Sequence, residues 1–208
     1  MSFLQRTFAV LLAVLPLACS AGDGPFQPGK DYTELRAPQP KADPSKIEVM
    51  EVFAYSCPHC FHLEPEVEKW LKKKPADVNF VRLPHTLGQP ANIQRNKAFY
   101  TAQMLGAFEP FHRALFGAIH GQGKMMATPE ELRALFVEST KLKAEDFDGA
   151  FSSFMVDSRF RAGDNAIREM GIPSVPTLVV EGKYQVKNGP QVFAIVDFLV
   201  DKARKEHK

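Results

Sequence analysis

The chain has 208 residues, and its 26 basic side chains are nearly balanced by 24 acidic ones, which gives a formal net charge of +2 at pH 7. This balance does not predict a nucleic-acid surface, which needs a clustered excess of basic residues. The basic run at 72–74 lies where a helix is predicted to end, so we expect a solvated helix terminus there. Residues 22–208 suit one domain, or one domain that carries an insertion.

Residues 1–21 have the composition of a secretory signal peptide. One basic residue, Arg6, precedes an apolar core at 8–17 and a run of small residues at 18–21, and this is the order of regions in such a leader. The apolar core is too short to span a bilayer comfortably, so a retained membrane anchor is the weaker interpretation. We therefore expect export of the chain and removal of the leader.

Cys19 keeps a second processing route open. Residues 15–19 roughly resemble a bacterial lipoprotein signal, in which the cysteine becomes the lipidated N-terminus. Pro16 fits poorly where an aliphatic residue is expected, so we expect a soluble exported product instead. Cleavage after Ser20 or Ala21 would remove Cys19 and leave a single cysteine pair, which in an exported chain indicates an oxidising compartment.

Two cysteines, Cys57 and Cys60, follow a short apolar run at 47–55. The run is rich in β-forming residues and predicts a parallel strand that is buried on both faces. Apolar residues at helical spacing come after the cysteines, and Pro58 fits the first helical position, where its missing N–H would be unpaired anyway. The pattern predicts a strand that leads directly into a helix capped by Ser56 or Cys57.

The two cysteines are predicted to differ in reactivity. Cys57 lies at the predicted helix N-terminus, where unpaired N–H groups and the positive end of the helix dipole favour a thiolate. A protonated His59, between the cysteines, would add to this effect. Cys60 lies one turn inside the helix on its apolar face, so it should be less exposed and should act as the resolving thiol.

A Cys-x-x-Cys pair is also half of a zinc site, and a structural disulfide is a further alternative. The sequence has no second cysteine pair, so a zinc site would need histidine ligands. Four histidines show no spacing that completes a tetrahedral site: His62, His85, His112 and His120. We predict no metal site. A disulfide that closes so short a loop constrains the unfolded chain little, so it offers more to redox exchange than to stability.

The rest of the chain predicts an α/β fold with a block of helices in its middle. Residues 22–46 are rich in Pro, Gly and Asp and form an extended lead-in with one short strand at 32–35. A strand at 78–83 completes a βαβ unit, whose crossover should be right-handed. Five helices are then predicted from apolar spacing, at 91–105, 109–120, 129–139, 144–155 and 157–170. Thr128 is the expected N-cap of the third.

Eight phenylalanines in this region are expected to form its core rather than a ligand site. They are Phe99, Phe108, Phe111, Phe116, Phe136, Phe147, Phe151 and Phe154. Beyond them, residues 171–180 place two prolines before an apolar β run, which marks a constrained turn that enters a strand. A hairpin turn at 181–183 leads to a strand at 184–186, and Pro190 begins a last amphipathic helix.

The Cys-Pro-His-Cys motif at 57–60, together with Val175-Pro176-Thr177, resembles the DsbA family of periplasmic thiol:disulfide oxidases in the thioredoxin superfamily. The resemblance runs from about residue 29 through the final helix. In that family the proline matching Pro176 is cis and lies against the active-site disulfide, and the residue matching Val175 faces bound peptide. The implied organisation is a signal peptide at 1–21, an extended segment at 22–46, a thioredoxin domain at 47–89 and 171–208, and an inserted all-helical domain at 90–170.

The resemblance also implies a function. A redox-active disulfide between Cys57 and Cys60 would be donated to unfolded exported polypeptides in the periplasm, and a quinone-linked inner-membrane partner of the DsbB type would reoxidise the pair. No bound cofactor is implied, and we expect a monomer. A disulfide isomerase or reductase is the first alternative, although the chain lacks the N-terminal dimerisation region of periplasmic isomerases. The second is a non-enzymatic peptide-binding module.

Two acidic residues near the cysteines are interpreted differently. Glu51 lies inside the apolar strand run, and we favour a buried acid over an edge strand with Glu51 in water. It matches a family position that helps to move protons from Cys60 during exchange. Glu64 is predicted to be a solvated helix residue with a minor electrostatic effect. The family often carries a lysine near residues 83–84 that pairs with the buried acid. Here Arg82, on the opposite strand face from Leu83, is the nearest cation.

Overall fold

The structure, a computed structural model, describes residues 24–41 and 43–207; the predicted signal peptide and Cys19 lie outside them. The strands are β1 (Tyr32–Glu34), β2 (Ile47–Phe53), β3 (Val78–Pro84), β4 (Thr177–Val180) and β5 (Tyr184–Val186). The helices are α1 (Pro58–Leu71), α2 (Pro90–Met104), α3 (Phe108–Phe116), α4 (Pro129–Thr140), α5 (Ala144–Phe151), α6 (Phe154–Met170) and α7 (Val192–Glu206), and a π-helical turn (Gly117–Gly121) continues α3. Among the described helices, none is long and apolar enough to cross a membrane.

The strands form one mixed sheet in the order β1-β5-β4-β2-β3. Strand β2 is parallel to β3 and antiparallel to β4, so it lies inside the sheet. All of its residues are buried, as the apolar run predicted. Helix α1 connects β2 to β3 and completes the βαβ unit. The chain reaches the two cysteines immediately after β2, at the edge of the sheet where its parallel strands end.

Both faces of β2 are covered by helices, which explains why the strand is apolar almost throughout. Val49 belongs to a cluster with α7, whereas Met50 and Val52 pack with α6, because successive side chains of a strand point to opposite faces. Phe53 enters a third cluster, formed mainly by the helices between β3 and β4. The architecture is therefore the α/β fold predicted from the sequence, with the helical block between β3 and β4.

One helix boundary differs from the prediction. Apolar spacing predicted a continuous helix at 144–155, but α5 ends at Phe151 and α6 begins at Phe154. The hydroxyl of Ser153 accepts a hydrogen bond from the N–H of Val156 at 3.2 Å. Ser153 therefore caps a new helix at a position where apolar spacing alone indicated continuation.

Of two other predicted helix starts, one is confirmed and one lies later in the chain. Thr128 caps α4 as predicted: its hydroxyl accepts the N–H of Glu131 at 3.3 Å, and the Glu131 carboxylate accepts the N–H of Thr128 at 3.1 Å. Helix α7 begins at Val192 rather than at Pro190. The chain first makes a turn in which the N–H of Val192 donates to the carbonyl of Gly189, so the helix starts later than the proline suggested.

The phenylalanines of the helical block mostly form its core. Those that are fully buried are Phe99, Phe111, Phe116, Phe136 and Phe147. Phe108 and Phe151 are partly buried against them. Phe154 is 78% exposed, so the prediction that it belongs to the core is wrong. It is the first residue of α6, and its direction follows the new helix that Ser153 caps rather than the apolar face of α5.

This difference in burial gives a stability prediction. Replacing Phe136 by Ala removes a fully buried ring and should lower the free energy of unfolding by about 3–5 kcal/mol. Phe154→Ala makes the same chemical change at an exposed site and should cost less than about 0.5 kcal/mol. Urea unfolding followed by circular dichroism measures both. A large loss in the Phe154 variant would mean that this ring is buried in solution.

Candidate active site

Cys57 lies at the junction of β2 and α1, where the sequence predicted it. It is the N-cap residue of α1, and its sulfur accepts a hydrogen bond from the N–H of Cys60 at 3.3 Å. Pro58 occupies the first turn of the helix, as predicted. Cys57 is 8% exposed, whereas Cys60 is completely buried. An attacking thiol therefore has access to Cys57, and the helix N-terminus favours negative charge on its sulfur.

Cys60 has an environment that opposes its ionisation. Both cysteines are free thiols in this structure. Burial raises the pKa of the Cys60 thiol far above its usual range, and the neighbouring Cys57 and Glu51 act in the same direction. A buried Cys60 thiolate is therefore disfavoured, and a nearby proton donor would convert it to the thiol.

A loop from the second half of the chain packs against Cys57. The Val175–Pro176 peptide bond is cis, the isomer that the family resemblance implied. The Val175 carbonyl oxygen lies 3.6 Å from the Cys57 sulfur, in position to accept its S–H. The loop is fixed by the Thr177 hydroxyl, which donates to the Ser174 carbonyl at 2.8 Å. The two segments therefore meet at the cysteine, although more than a hundred residues separate them.

A surface cavity of about 420 Å³ adjoins this loop. It is lined by His59, His62, Leu63, Val175, Pro176, Asn188, Gly189 and Val192. The exposed His59 thus stands between the cysteines in sequence and beside the cavity in space. Asn188, which sequence reasoning missed, donates its side-chain N–H to the Pro176 carbonyl at 2.7 Å. The cavity combines apolar walls, from Leu63, Val175, Pro176 and Val192, with polar side chains at its rim.

Glu51 is a buried acid, as predicted. Its side chain is fully buried, and one carboxylate oxygen accepts a hydrogen bond from Nε of Arg82 at 3.0 Å. The parallel register of β2 and β3 places these two residues opposite each other. Burial raises the pKa of Glu51 to about 7, against the opposing effect of Arg82. Arg82 therefore supplies the cation that the resemblance led us to look for near Leu83 and Pro84, where the family often has a lysine.

Glu64 is not the solvated residue that the sequence predicted. Its side chain is only 12% exposed, and it accepts a hydrogen bond from Nη2 of Arg82 at 3.0 Å. Burial raises its pKa. The physical reason lies in helix geometry: Glu64 is one turn after the buried Cys60, so it shares the face of α1 that packs inward. Two buried carboxylates thus share one guanidinium near the cysteine pair, and the exposed Glu109 lies farther from it, at 3.9 Å.

Four further polar residues near the site carried no usable sequence signal. Asn92, on α2, is buried and donates to the Ser56 hydroxyl at 2.8 Å. Arg95 is also buried and donates to the Asn92 side chain at 2.7 Å. The Tyr55 hydroxyl lies 2.9 Å from Nδ1 of His112, which is buried on α3. Each position fits an ordinary helix or strand pattern, so only the tertiary structure brings them to the site.

The fold and this site define a thiol:disulfide oxidoreductase with a thioredoxin fold. The sequence pattern of the family described as "DSBA-like thioredoxin domain" matches residues 48–200. The chain belongs to this family.

Similar proteins agree with this assignment. The chain is 36% identical to "Thiol:disulfide interchange protein DsbA" of Pseudomonas aeruginosa, over 95% of this chain and 94% of that protein. It is 38% identical to the protein of the same description in Azotobacter vinelandii, over 85% and 84%. The crystal structure of Pseudomonas aeruginosa DsbA superposes with a TM-score of 0.81 at 36% identity, over 88% of this chain and 96% of that one. For the oxidoreductase DsbA of Xylella fastidiosa, the TM-score is 0.79 at 31% identity, over 85% and 97%.

The environment of Glu51 predicts a pH dependence of stability. Its pKa in the folded chain, about 7, lies above the ordinary value of 4.5, so the folded state holds an extra proton between these values. The free energy of unfolding must therefore fall as pH rises through that interval. Glu51→Gln removes the effect, and its stability relative to the wild type should rise between pH 5 and 8, by roughly 3 kcal/mol.

Urea unfolding at a series of pH values measures this difference. Glu66→Gln is the matched control, because it makes the same chemical change at a side chain that is 59% exposed. The control should follow the wild-type trend. Parallel stability curves for wild type and Glu51→Gln would contradict a buried, proton-holding Glu51.

Proposed function

We propose that the chain is a thiol:disulfide interchange protein that donates a Cys57–Cys60 disulfide to cysteines of unfolded exported polypeptides. The observation that carries this proposal is the asymmetry of the pair. Cys57 is accessible, lies at a helix N-terminus and adjoins the cis-proline loop, whereas Cys60 is buried behind it above two acidic residues. Two relatives described as thiol:disulfide interchange proteins support the same activity.

The reaction begins with the oxidised enzyme. A substrate thiolate attacks the sulfur of Cys57, a mixed disulfide forms, and Cys60 leaves as a thiolate that must be protonated. A second substrate thiolate then attacks the substrate sulfur of the mixed disulfide and releases Cys57 as a thiolate. The substrate dithiol is oxidised to a disulfide and the enzyme disulfide is reduced, so the two electrons balance. Cys57 is a good leaving group because the helix N-terminus stabilises its thiolate.

Glu51 is the proposed source of the proton for Cys60. The two residues interact electrostatically, and the pKa of Glu51, about 7, lets its carboxyl be protonated or ionised near neutral pH. Such a group can deliver a proton in one half of the cycle and accept it in the other. Arg82 limits the rise of the Glu51 pKa, so the carboxyl does not stay permanently protonated.

The substrate site is proposed to be the cavity beside Val175, Pro176 and Thr177. An extended peptide there could pair with the main chain of the Val175 segment while its cysteine reaches Cys57. The reoxidising partner is proposed to be a quinone-linked inner-membrane protein of the DsbB type. We place the monomeric mature protein in the periplasm, after removal of residues 1–21. Mass spectrometry of the mature N-terminus tests this, because a diacylglyceryl group on Cys19 would instead indicate a lipoprotein.

The equilibrium reduction potential against glutathione is the first test of the function. A value near the roughly −120 mV known for DsbA itself would mean that the reduced form is stabilised and that the protein donates disulfides. A reduction potential near that of thioredoxin, about −270 mV, would make the protein a reductase. Cys57→Ser should abolish the oxidation of a dithiol peptide. Full biological activity of that variant would favour a non-enzymatic peptide-binding module.

His59 is predicted to contribute to this potential. His59→Ser should lower it by about 30 mV or more, since each factor of ten in thiolate stabilisation is worth that much for a two-electron couple. His62→Ser is the matched control, because His62 is exposed on the same helix and lines the same cavity. An unchanged potential in His59→Ser would make His59 a solvated spacer.

A further inference from the structure

His112 is a buried polar residue that the redox mechanism described above does not use. Its side chain is 1% exposed, and the rings around it are Phe53, Tyr55, Phe108 and Phe116, with centroids 4.7–5.4 Å away. Its Nδ1 lies 2.9 Å from the Tyr55 hydroxyl and its Nε2 lies 3.2 Å from Oε1 of Glu64. It therefore stands between an aromatic core and the acidic residues below Cys60.

The contacts define the protonation of the ring. Burial raises the pKa of Tyr55 well above its usual range, so its hydroxyl stays protonated and can donate to Nδ1. Burial, together with Arg82, holds the pKa of His112 well below its usual range, so the ring is neutral. With Nδ1 accepting, the single ring proton lies on Nε2 and faces Glu64. Within the described residues, neither Nε2 of His112 nor Oε1 of Glu64 has a hydrogen-bond partner. The two atoms lie 3.2 Å apart without the alignment of a hydrogen bond, so each is the polar group best placed to satisfy the other.

A surface cavity of about 310 Å³ lies beside the same two residues. It is lined by Phe61, His62, Glu64, Pro65, Glu68, His112, Arg113 and Phe116. The Glu64 side chain, which borders this cavity, is 12% exposed, whereas the side chain of Glu51, on β2, is not exposed at all. Glu64 has Arg82, His112 and nearby solvent to stabilise its charge. Within the part of the chain that the structure describes, Glu51 has only Arg82 as a cationic partner, and its second carboxylate oxygen has no hydrogen-bond partner.

We propose that His112 is a positioning residue for the thiol–disulfide reaction: its Nε2–H holds the Glu64 carboxylate ionised on Arg82, so that Glu51 is the carboxyl that exchanges a proton beneath Cys60. Only the catalytic consequence of this inference, proton exchange with Cys60, rests on the proposed function. The order in which the two carboxyls ionise is a property of the folded chain. The other charged groups facing His112 are Glu68 on α1, Arg82 on β3, and Glu109 and Arg113 on α3.

Replacing His112 by Leu tests the proposal. Without its donor, Glu64 should bind a proton more readily, and Arg82 should then serve Glu51, whose ionisation becomes easier. We expect the Glu51 titration to move to lower pH by about one unit and that of Glu64 to move to higher pH. Carboxyl carbon NMR of protein labelled at glutamate measures both, with resonances assigned through Glu51→Gln and Glu64→Gln. No disulfide exchange is needed for this measurement.

Two further variants separate positioning from packing. His112→Gln keeps a donor and an acceptor and should return both titrations to within about 0.3 pH unit of wild type. Phe116→Leu perturbs the same core without touching a polar contact and should leave both unchanged. If Phe116→Leu moves the titrations as far as His112→Leu does, or if His112→Leu moves neither, the positioning role is wrong.

Ring-nitrogen NMR of the wild type is independent of any variant's folding: a charged His112 ring or a proton on Nδ1 at pH 7 also overturns the proposal.

The pH profile of mixed-disulfide resolution then connects the titrations to function. In the wild type the rate at which Cys60 resolves a Cys57–glutathione disulfide should follow the Glu51 titration. His112→Leu should shift this rate profile to lower pH by about one pH unit, as it shifts the titration. The NMR titrations could move in His112→Leu while the wild-type rate profile shows no dependence on Glu51. That result would overturn the part of the proposed function in which Glu51 exchanges a proton with Cys60. It would leave His112 as the residue that orders the two carboxyls.

Discussion

One buried arrangement of charge governs this molecule: two carboxylates, Glu51 and Glu64, share the guanidinium of Arg82 inside the fold. Charged groups removed from water are costly unless they are paired, so the parallel register that sets Glu51 opposite Arg82 is required by electrostatics as well as by packing. A shift of β3 by one residue would turn Arg82 to the other face and leave Glu51 unpaired. Strand register and the electrostatics of the site are therefore specified by the same residues.

The helical block between β3 and β4 contributes to the chemistry as well as to the core. It supplies the aromatic rings that exclude water from the acidic residues, and it supplies the polar groups that reach back to the active-site loop. Asn92 bonds Ser56, and Nε2 of His120 lies 2.8 Å from the carbonyl of Tyr55. The loop between β2 and α1 is thus held from one side by the cis-proline segment and from the other by the helical block.

The parts of the structure that local patterns encode were predictable from the sequence. The buried strand, the helix that Pro58 opens, the capping box at Thr128 and the hairpin after β4 follow from residues close together in the chain. Glu64 shows the limit, because helical spacing places it inward only once α3 is known to pack against α1. Phe154 shows it again, since one capping serine overrode an apolar spacing that indicated a continuous helix. The Arg82 pairing depends on strand register, and the roles of Asn92 and His112 depend on which helix covers which loop.

The two cysteines lie one helical turn apart, yet the fold gives them opposite environments. Cys57 faces the helix dipole, the N–H of Cys60 and solvent, and all three stabilise negative charge on its sulfur. Cys60 faces apolar side chains and an acid, which both disfavour its thiolate. Because forming the disulfide removes the charge on Cys57, stabilising that charge favours the reduced form and makes the disulfide a stronger oxidant. In the proposed mechanism the buried acid supplies what this asymmetry lacks, which is a proton for Cys60 when the disulfide opens. The oxidising tendency and the proposed proton source are then two consequences of ending a fully buried strand at a helix N-terminus.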